Sequence, residues 1–151
     1  MATTADYGTV LVAYDGSELA QYAIEEAGRQ LAPGREALVL CVWQPADVGF
    51  VPVAERHFDA QNASEVQQAA EETAADGASL AERAGFRAQS LAVNVAPTWK
   101  GIVTVAEEHR VSLIVLGPHR RTGVIGHLSG SVTAAVIAHS AVPVLVVHQR
   151  S

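Results

Sequence analysis

The sequence has a single cysteine, few aromatic residues and no long apolar run. Cys41 is the only cysteine among 151 residues, which excludes an internal disulfide, and its apolar surroundings favour a buried thiol over a reactive one. No uninterrupted apolar stretch reaches the roughly 18 residues that a membrane helix needs. The segment from Met1 to Asp6 lacks the basic and apolar regions of a secretory signal. These absences predict a soluble protein that is cytoplasmic.

Basic residues are also scarce. Ten Lys and Arg are outnumbered by 16 Asp and Glu, so the formal net charge is −6. Because affinity for phosphate backbones depends on clustered cationic side chains, we expect no general nucleic-acid binding. The apolar fraction of 49% is typical of globular chains, and a chain of this length buries a core without disulfides or metals. Residues 1–151 are therefore expected to form one domain.

Apolar runs alternate with segments of helical spacing. Four runs predict buried parallel strands, at residues 9–14, 37–43, 111–116 and 142–147, and the alternating segment 88–95 predicts a strand near a sheet edge. Helices are predicted between them, the longest at residues 60–84. This alternation indicates an α/β fold, in which a single doubly wound open sheet of five parallel strands carries helices on both faces. Ligands of such folds bind at the carboxyl ends of strands, here residues 14–17, 42–45 and 117–120.

The glycine-rich segment 117–133 carries the clearest functional signal. It joins a predicted strand to the last helix, and we expect Gly130 and Ser131 to open that helix, whose free N–H groups suit phosphate. Ser131 and Thr133 add hydroxyl donors. The structural alternative is that a tight connection simply requires glycine. A P-loop is excluded because no Lys follows Gly130, and no G-x-G-x-x-G follows the first strand.

The spacing of Gly117 and Gly130-Ser131 resembles the nucleotide-binding signature of the universal stress protein family. In that signature a glycine is followed after two residues by a second glycine, and nine residues later by Gly-Ser or Gly-Thr. The similarity continues through VLVAYDGS at residues 10–17, LVLCV at 38–42 and VPVLVV at 142–147. It covers essentially the whole chain and implies the strand order 3-2-1-4-5.

The resemblance also implies a binding site for ATP, ADP or AMP. In members that bind ATP, the residue matching Asp15 lies beside the ribose and phosphates, sometimes through a divalent metal ion such as Mg²⁺. The residue matching Val42 contacts adenine, and Ala13 and Tyr14 would border the same pocket. The ribose and phosphates would be held by Gly117, Gly130, Ser131, Val132 and Thr133.

The residues themselves leave alternatives open for two of these assignments. Asp15 is equally suited to be a turn carboxylate before the first helix, with Ser17 as the N-cap. For Val42 the alternative is ordinary core packing. No residue is assigned a catalytic role, because no serine has the context of a nucleophile elbow and the histidines lack metal-ligand spacing.

One position departs from the signature, since Arg120 replaces its second glycine. If the backbone there has a positive φ, a side chain costs roughly 1–2 kcal/mol. In the opposite direction, His119, Arg120 and Arg121 place cationic groups near the expected phosphate site. We hypothesise that nucleotide binding is retained in altered form. The alternative is a family member without a nucleotide that serves as a dimeric interaction module.

The last predicted strand indicates a partner. Pro143 follows Val142 and cannot donate to a strand ladder, and the apolar residues up to Val147 form an edge open to association. Because universal stress proteins often pair this edge with its copy, the resemblance implies a homodimer. The first functional hypothesis is thus a homodimeric, nucleotide-binding stress-response protein. A slow ATPase is a further alternative, with Asp15 as its only evident base.

Overall fold

The computed structural model describes residues 8–44, 60–117 and 126–149. In the second range side chains are described from residue 64 onward, and in the third range from residue 132 onward. All nine predicted elements are present, with bounds that differ from the predicted ones by a few residues. In chain order they are β1 Val10–Ala13, α1 Glu18–Gln30, β2 Glu36–Trp43, α2 Ala60–Arg83, β3 Arg87–Asn94, α3 Thr98–Glu108, β4 Leu113–Leu116, α4 Gly126–His139 and β5 Val144–Val146.

The strands form one parallel sheet in the order β3-β2-β1-β4-β5. This confirms the predicted α/β class, the number of strands and their order. β1 lies at the centre and is nearly sealed from solvent, since Val10, Leu11 and Val12 are 0% exposed. That burial on both faces explains why the strand is continuously apolar. β3 is an edge strand with mostly exposed or half-buried residues, as its alternating pattern predicts.

Helices cover both faces of the sheet, and the alternation of side chains along β1 divides the core between them. Val10 and Val12 pack with Ile24 of α1 on one face, where α2 also lies. Leu11 packs on the other face with Ile102 of α3, in a cluster that includes residues of α4. Because α1 and α2 share one face and α3 and α4 the other, the chain reverses its direction of winding between β1 and β4.

The start of α4 differs from the prediction. The helix begins at Gly126, four residues before Gly130, so Gly130 and Ser131 lie within its second turn rather than at its N-terminus. Glycine inside a helix costs only about 1 kcal/mol relative to alanine. A glycine is therefore compatible with a helix interior and does not by itself mark a helix boundary.

No helix in the three described ranges combines the length and the apolar character that a membrane crossing requires.

Gly77 shows how closely α2 approaches the sheet. A Cβ atom at this position would lie 2.6 Å from Cδ2 of Tyr14 and 2.7 Å from Cγ1 of Val39. Contacts this short do not occur between real atoms, and the ring of Tyr14 and the methyl group of Val39 are both in the buried core. The absence of a side chain at Gly77 thus allows α2 to pack directly over the carboxyl end of β1.

We expect Gly77→Ala to lower the free energy of unfolding by at least about 1 kcal/mol, because crowding in a packed core outweighs the helix propensity of alanine. Urea unfolding measures the change. Ser79→Ala, at an exposed position of the same helix, is the control and should be neutral or slightly stabilising. A stabilised Gly77→Ala variant would contradict the close packing.

Candidate functional site

The candidate site lies where β1 and β4 end side by side. Val12 of β1 is the register partner of Val115 of β4, so Tyr14 and Gly117 are each two residues beyond a paired position. The helices that follow these strands lie on opposite faces of the sheet, α1 after β1 and α4 after β4. Ligands of this fold class usually bind outside the strand ends at such a reversal, and we call the space outside the carboxyl ends of β1 and β4 the crevice.

Asp15 occupies the turn between β1 and α1 with an exposed carboxylate. Its Oδ1 accepts a hydrogen bond of 2.9 Å from the backbone N–H of Ser17. Ser17 is the N-cap of α1, and its Oγ accepts a 3.1 Å hydrogen bond from the N–H of Ala20. Gly16 has a φ of +83°, a conformation that favours glycine. Asp15 therefore has the turn role that the sequence allows as an alternative, and its carboxylate remains exposed beyond the end of β1.

Tyr14 contributes its backbone to this region, whereas its side chain points away. The ring is only 5% exposed and lies in the core under α1 and α2, because Tyr14 shares the face of Val10 and Val12. Burial raises the pKa of the Tyr14 phenol above its ordinary value, while a hydrogen bond with Gln21 lowers it. The expectation that Tyr14 borders the pocket therefore rests on its backbone alone.

Val42 and Ala13 lie on the opposite face, half-buried beside the cluster that α3 and α4 cover. Ala13 is paired with Leu40, and β2 continues for three residues beyond that pair, to Trp43. Val42 is therefore located where β1 has already turned away. Its side chain packs toward Gly101 of α3, since a Cβ there would lie 2.9 Å from Cγ1 of Val42.

The backbone of Val42 faces the crevice. The carbonyl of Leu40 accepts a 2.8 Å hydrogen bond from the N–H of Tyr14, so the polar groups of Leu40 point toward β1. Because backbone groups alternate sides along a strand, the N–H and C=O of Val42 point the same way. Within the described ranges, no strand lies on that side of Val42. One donor and one acceptor thus face the space beyond β1.

Gly117 directly follows β4, and four further candidate residues belong to α4. A Cβ at Gly117 would be 3.5 Å from the carbonyl oxygen of Leu19, so the end of β4 passes close to the first turn of α1. Val132 is half-buried and packs into the cluster under α3 and α4. Thr133 is also half-buried. Gly130 and Ser131 are part of α4, although the side chain of Ser131 is outside the described residues, as are His119 and Arg120.

Metal-ligand clusters and surface depressions are the other features that could indicate a ligand. Among residues whose side chains are described, no group of three or more His, Cys, Asp and Glu is arranged to hold a metal ion. An open depression at the amino ends of the strands is lined by Glu36, Arg87 and His109, among others. It lies at the end of the sheet opposite the crevice, and its Glu36–Arg87 ion pair, at 3.7 Å, is largely exposed.

The contacts of Gln44 and Gly101 could not be predicted from the sequence. The side-chain amide of Gln44 donates hydrogen bonds to the carbonyl of Val95 and to Oγ1 of Thr98, which ties the end of β2 to the start of α3. The only sequence signal for Gly101 is a glycine within a helical pattern, which indicates close packing. No sequence signal identifies the partner of Gln44, because its contacts lie more than fifty residues away along the chain.

The reversal of winding between β1 and β4 defines an open doubly wound α/β protein, a class whose ligands usually bind at the carboxyl edge of the sheet. The model of the universal stress protein family matches residues 6–148. The chain belongs to the universal stress protein family, which confirms the resemblance seen in its sequence.

Two relatives with similar sequences are also universal stress proteins. Universal stress protein Rv2005c of Mycobacterium tuberculosis (strain ATCC 25618 / H37Rv) is 34% identical over 155 residues, a match that covers 95% of this chain and 46% of that protein. Universal stress protein MJ0577 of Methanocaldococcus jannaschii is 39% identical over 70 residues, 46% of this chain and 43% of that protein. The chain thus spans about half the length of the mycobacterial relative.

Solved structures show the same fold. The structure of MJ0577 matches with a TM-score of 0.75 and 28% identity, covering 97% of this chain and 99% of that one. A universal stress protein solved in complex with cAMP matches with a TM-score of 0.67 and 25% identity, covering 97% of this chain and 100% of that one.

We expect Asp15→Ala to lower the free energy of unfolding by about 1 kcal/mol, because it removes the acceptor for the Ser17 N–H at the start of α1. Asp15→Asn keeps an acceptor oxygen in place and should stay within about 0.5 kcal/mol of the parent. Urea unfolding of the two variants, side by side, measures the difference. Equal losses in both would show that the turn depends on the charge rather than on the hydrogen bond.

Proposed function

We propose that the chain binds an adenine nucleotide in the crevice between β1 and β4. The observation that carries the proposal is the backbone of Val42, whose N–H and C=O face the crevice beyond the last bond between β1 and β2. Adenine carries an acceptor, N1, beside a donor, its exocyclic amino group. This pair is complementary to one backbone N–H and one C=O, and bases are commonly read along this edge.

The side chains around Val42 suit the rest of a nucleoside. Ala13 and Val42 are half-buried apolar residues on one face of the sheet, and they offer the apolar wall that small-molecule sites generally have. Asp15, on the neighbouring strand end, is exposed and is a suitable acceptor for ribose hydroxyls. Base and sugar contacts thus follow one another across the ends of β2 and β1.

The phosphates are assigned to the far side of the crevice. We propose that they lie near Gly117 and α4, contacted by Gly130, Ser131, Val132 and Thr133 as the family resemblance implies; these four residues follow the first turn of the helix. His119 and Arg120 are proposed phosphate contacts on the basis of sequence alone. The proposed ligand is ATP, ADP or AMP. Asp15 would hold Mg²⁺ jointly with the phosphates, because Mg²⁺ is typically bound by one or two carboxylates together with substrate phosphates.

A relative supports the choice of ligand. The universal stress protein solved with cAMP, itself an adenine nucleotide, covers 97% of this chain at 25% identity. We propose a regulatory role, in which the bound nucleotide changes the protein's conformation or its partners in a stress response, rather than an enzymatic one. The replacement of a signature glycine by Arg120 favours the second candidate function, an interaction module without nucleotide.

The proposed assembly is a homodimer that pairs through β5. The carbonyl of Pro143 and the N–H of Val147 bond to β4, so the odd-numbered residues of this segment face the sheet and Val144 and Val146 turn their backbone groups outward. No described strand pairs with that outer side. An unpaired apolar edge is a template for a second strand.

Thermal unfolding tests nucleotide binding directly. ATP at about 100 times its dissociation constant should add roughly 2.7 kcal/mol of stability and raise Tm by about 5–10 °C. Mg²⁺ should strengthen the effect in the parent protein and in Asp76→Asn, an exposed control on α2, but not in Asp15→Asn. The absence of a shift with ATP, ADP and AMP would favour the interaction module.

Solution scattering tests the dimer. The parent protein at micromolar concentration should have twice the mass of one chain. Val146→Pro removes an outward N–H and should yield monomers, whereas Val146→Thr keeps the N–H and should remain dimeric. Far-UV circular dichroism verifies that both variants are folded. A monomeric parent protein would contradict the proposed assembly.

A further inference from the structure

We propose that Gln44 and Gly101 are positioning residues for base recognition, which hold the backbone of Val42 against the adenine ring. This inference rests on the proposed nucleotide binding and deepens it. It concerns the end of β2, which continues past the last bond with β1. A strand end that is paired on one side only must be fixed by other contacts if its polar groups are to meet a ligand without rearrangement.

Gln44 supplies the first of these contacts. It follows β2 directly, two residues after Val42, and its side-chain Nε2 donates to the carbonyl of Val95 at 2.5 Å and to Oγ1 of Thr98 at 3.3 Å. Val95 lies in the connection between β3 and α3, and Thr98 is the first residue of α3. Gln44 is half-buried, so water competes with these hydrogen bonds less than it would at an exposed position. Gln44 thereby links the end of β2 to the segment that leads into α3.

Gly101 supplies the second contact, from the side of α3. A Cβ atom here would lie 2.9 and 3.1 Å from the two γ-methyl groups of Val42 and 3.2 Å from Cβ of Val95. The helix backbone thus touches both methyl groups of Val42, and Gly101 itself is buried. Val42 consequently cannot shift toward α3, while its pairing with Val93 of β3 limits movement within the sheet.

The contacts of Gln44 and Gly101 hold in place the N–H and C=O of Val42, a donor and an acceptor that together distinguish adenine from guanine. Adenine presents an acceptor beside a donor, whereas guanine presents an N–H beside a carbonyl, the reverse order. A fixed N–H and C=O at Val42 therefore match adenine and oppose guanine. Because a site that fixes its hydrogen-bonding groups rejects ligands that leave them unpaired, loosening Val42 should lower selectivity between bases more than affinity for phosphate.

The test compares the dissociation constants of ATP and GTP by isothermal titration. Gln44→Met keeps the length of the side chain and removes both donors. We expect it to reduce the preference for ATP over GTP about tenfold, the effect of one misplaced hydrogen bond, with the affinity for GTP unchanged. Thr98→Val removes the more distant acceptor and should have a smaller effect in the same direction. Gln67→Met, at an exposed position on α2, is the matched control.

The outcomes separate this inference from the function on which it rests. Equal weakening of ATP and GTP in Gln44→Met, or an unchanged ratio, would overturn the positioning role while leaving nucleotide binding intact. A parent protein that binds neither nucleotide would overturn both. Gly101→Ala provides a second measure, because the added Cβ should displace Val42 and likewise lower the ratio of affinities for ATP and GTP, provided that circular dichroism shows a folded protein.

Discussion

The unequal lengths of β1 and β2 are the constraint on which the site depends. β1 ends at Ala13 and the chain turns at Asp15, whereas β2 continues to Trp43. The backbone of Val42 is therefore left without a described partner strand on the side of β1. Had β1 continued alongside β2, its own backbone would have satisfied these groups. The same early turn brings the exposed carboxylate of Asp15 to the mouth of the crevice.

The strands could be predicted from the sequence because their burial determines the pattern of apolar residues along them. The continuous apolar runs of β1 and β4 identify strands that are covered on both faces, and the alternation in β3 identifies an edge. The reversal in strand order was implied by family resemblance and is seen in the sheet. The ends of helices were less predictable, because the sequence predicts a helix start at Gly130 whereas α4 begins at Gly126.

The sequence predicts which strand ends contribute to the candidate site, but not which side chains and backbone groups come into contact there. The turn carrying Asp15 and Ser17 is a local sequence pattern, and the structure shows its hydrogen bonds. The direction of Tyr14 follows from strand alternation once the strand is placed, and its ring enters the core. Gln44 and Gly101 contact residues that are distant in sequence or on another element, and the sequence does not identify the partners in such contacts.

The central claim, that the N–H of Val42 faces the crevice and binds adenine, is tested most directly by amide hydrogen exchange observed by NMR. Without a nucleotide, the Val42 amide should exchange faster than the neighbouring amides of Leu40 and Cys41, which face paired strands. At saturating ATP its exchange should slow markedly, because the base supplies the missing acceptor. An unchanged Val42 amide in a protein that demonstrably binds ATP would contradict the account.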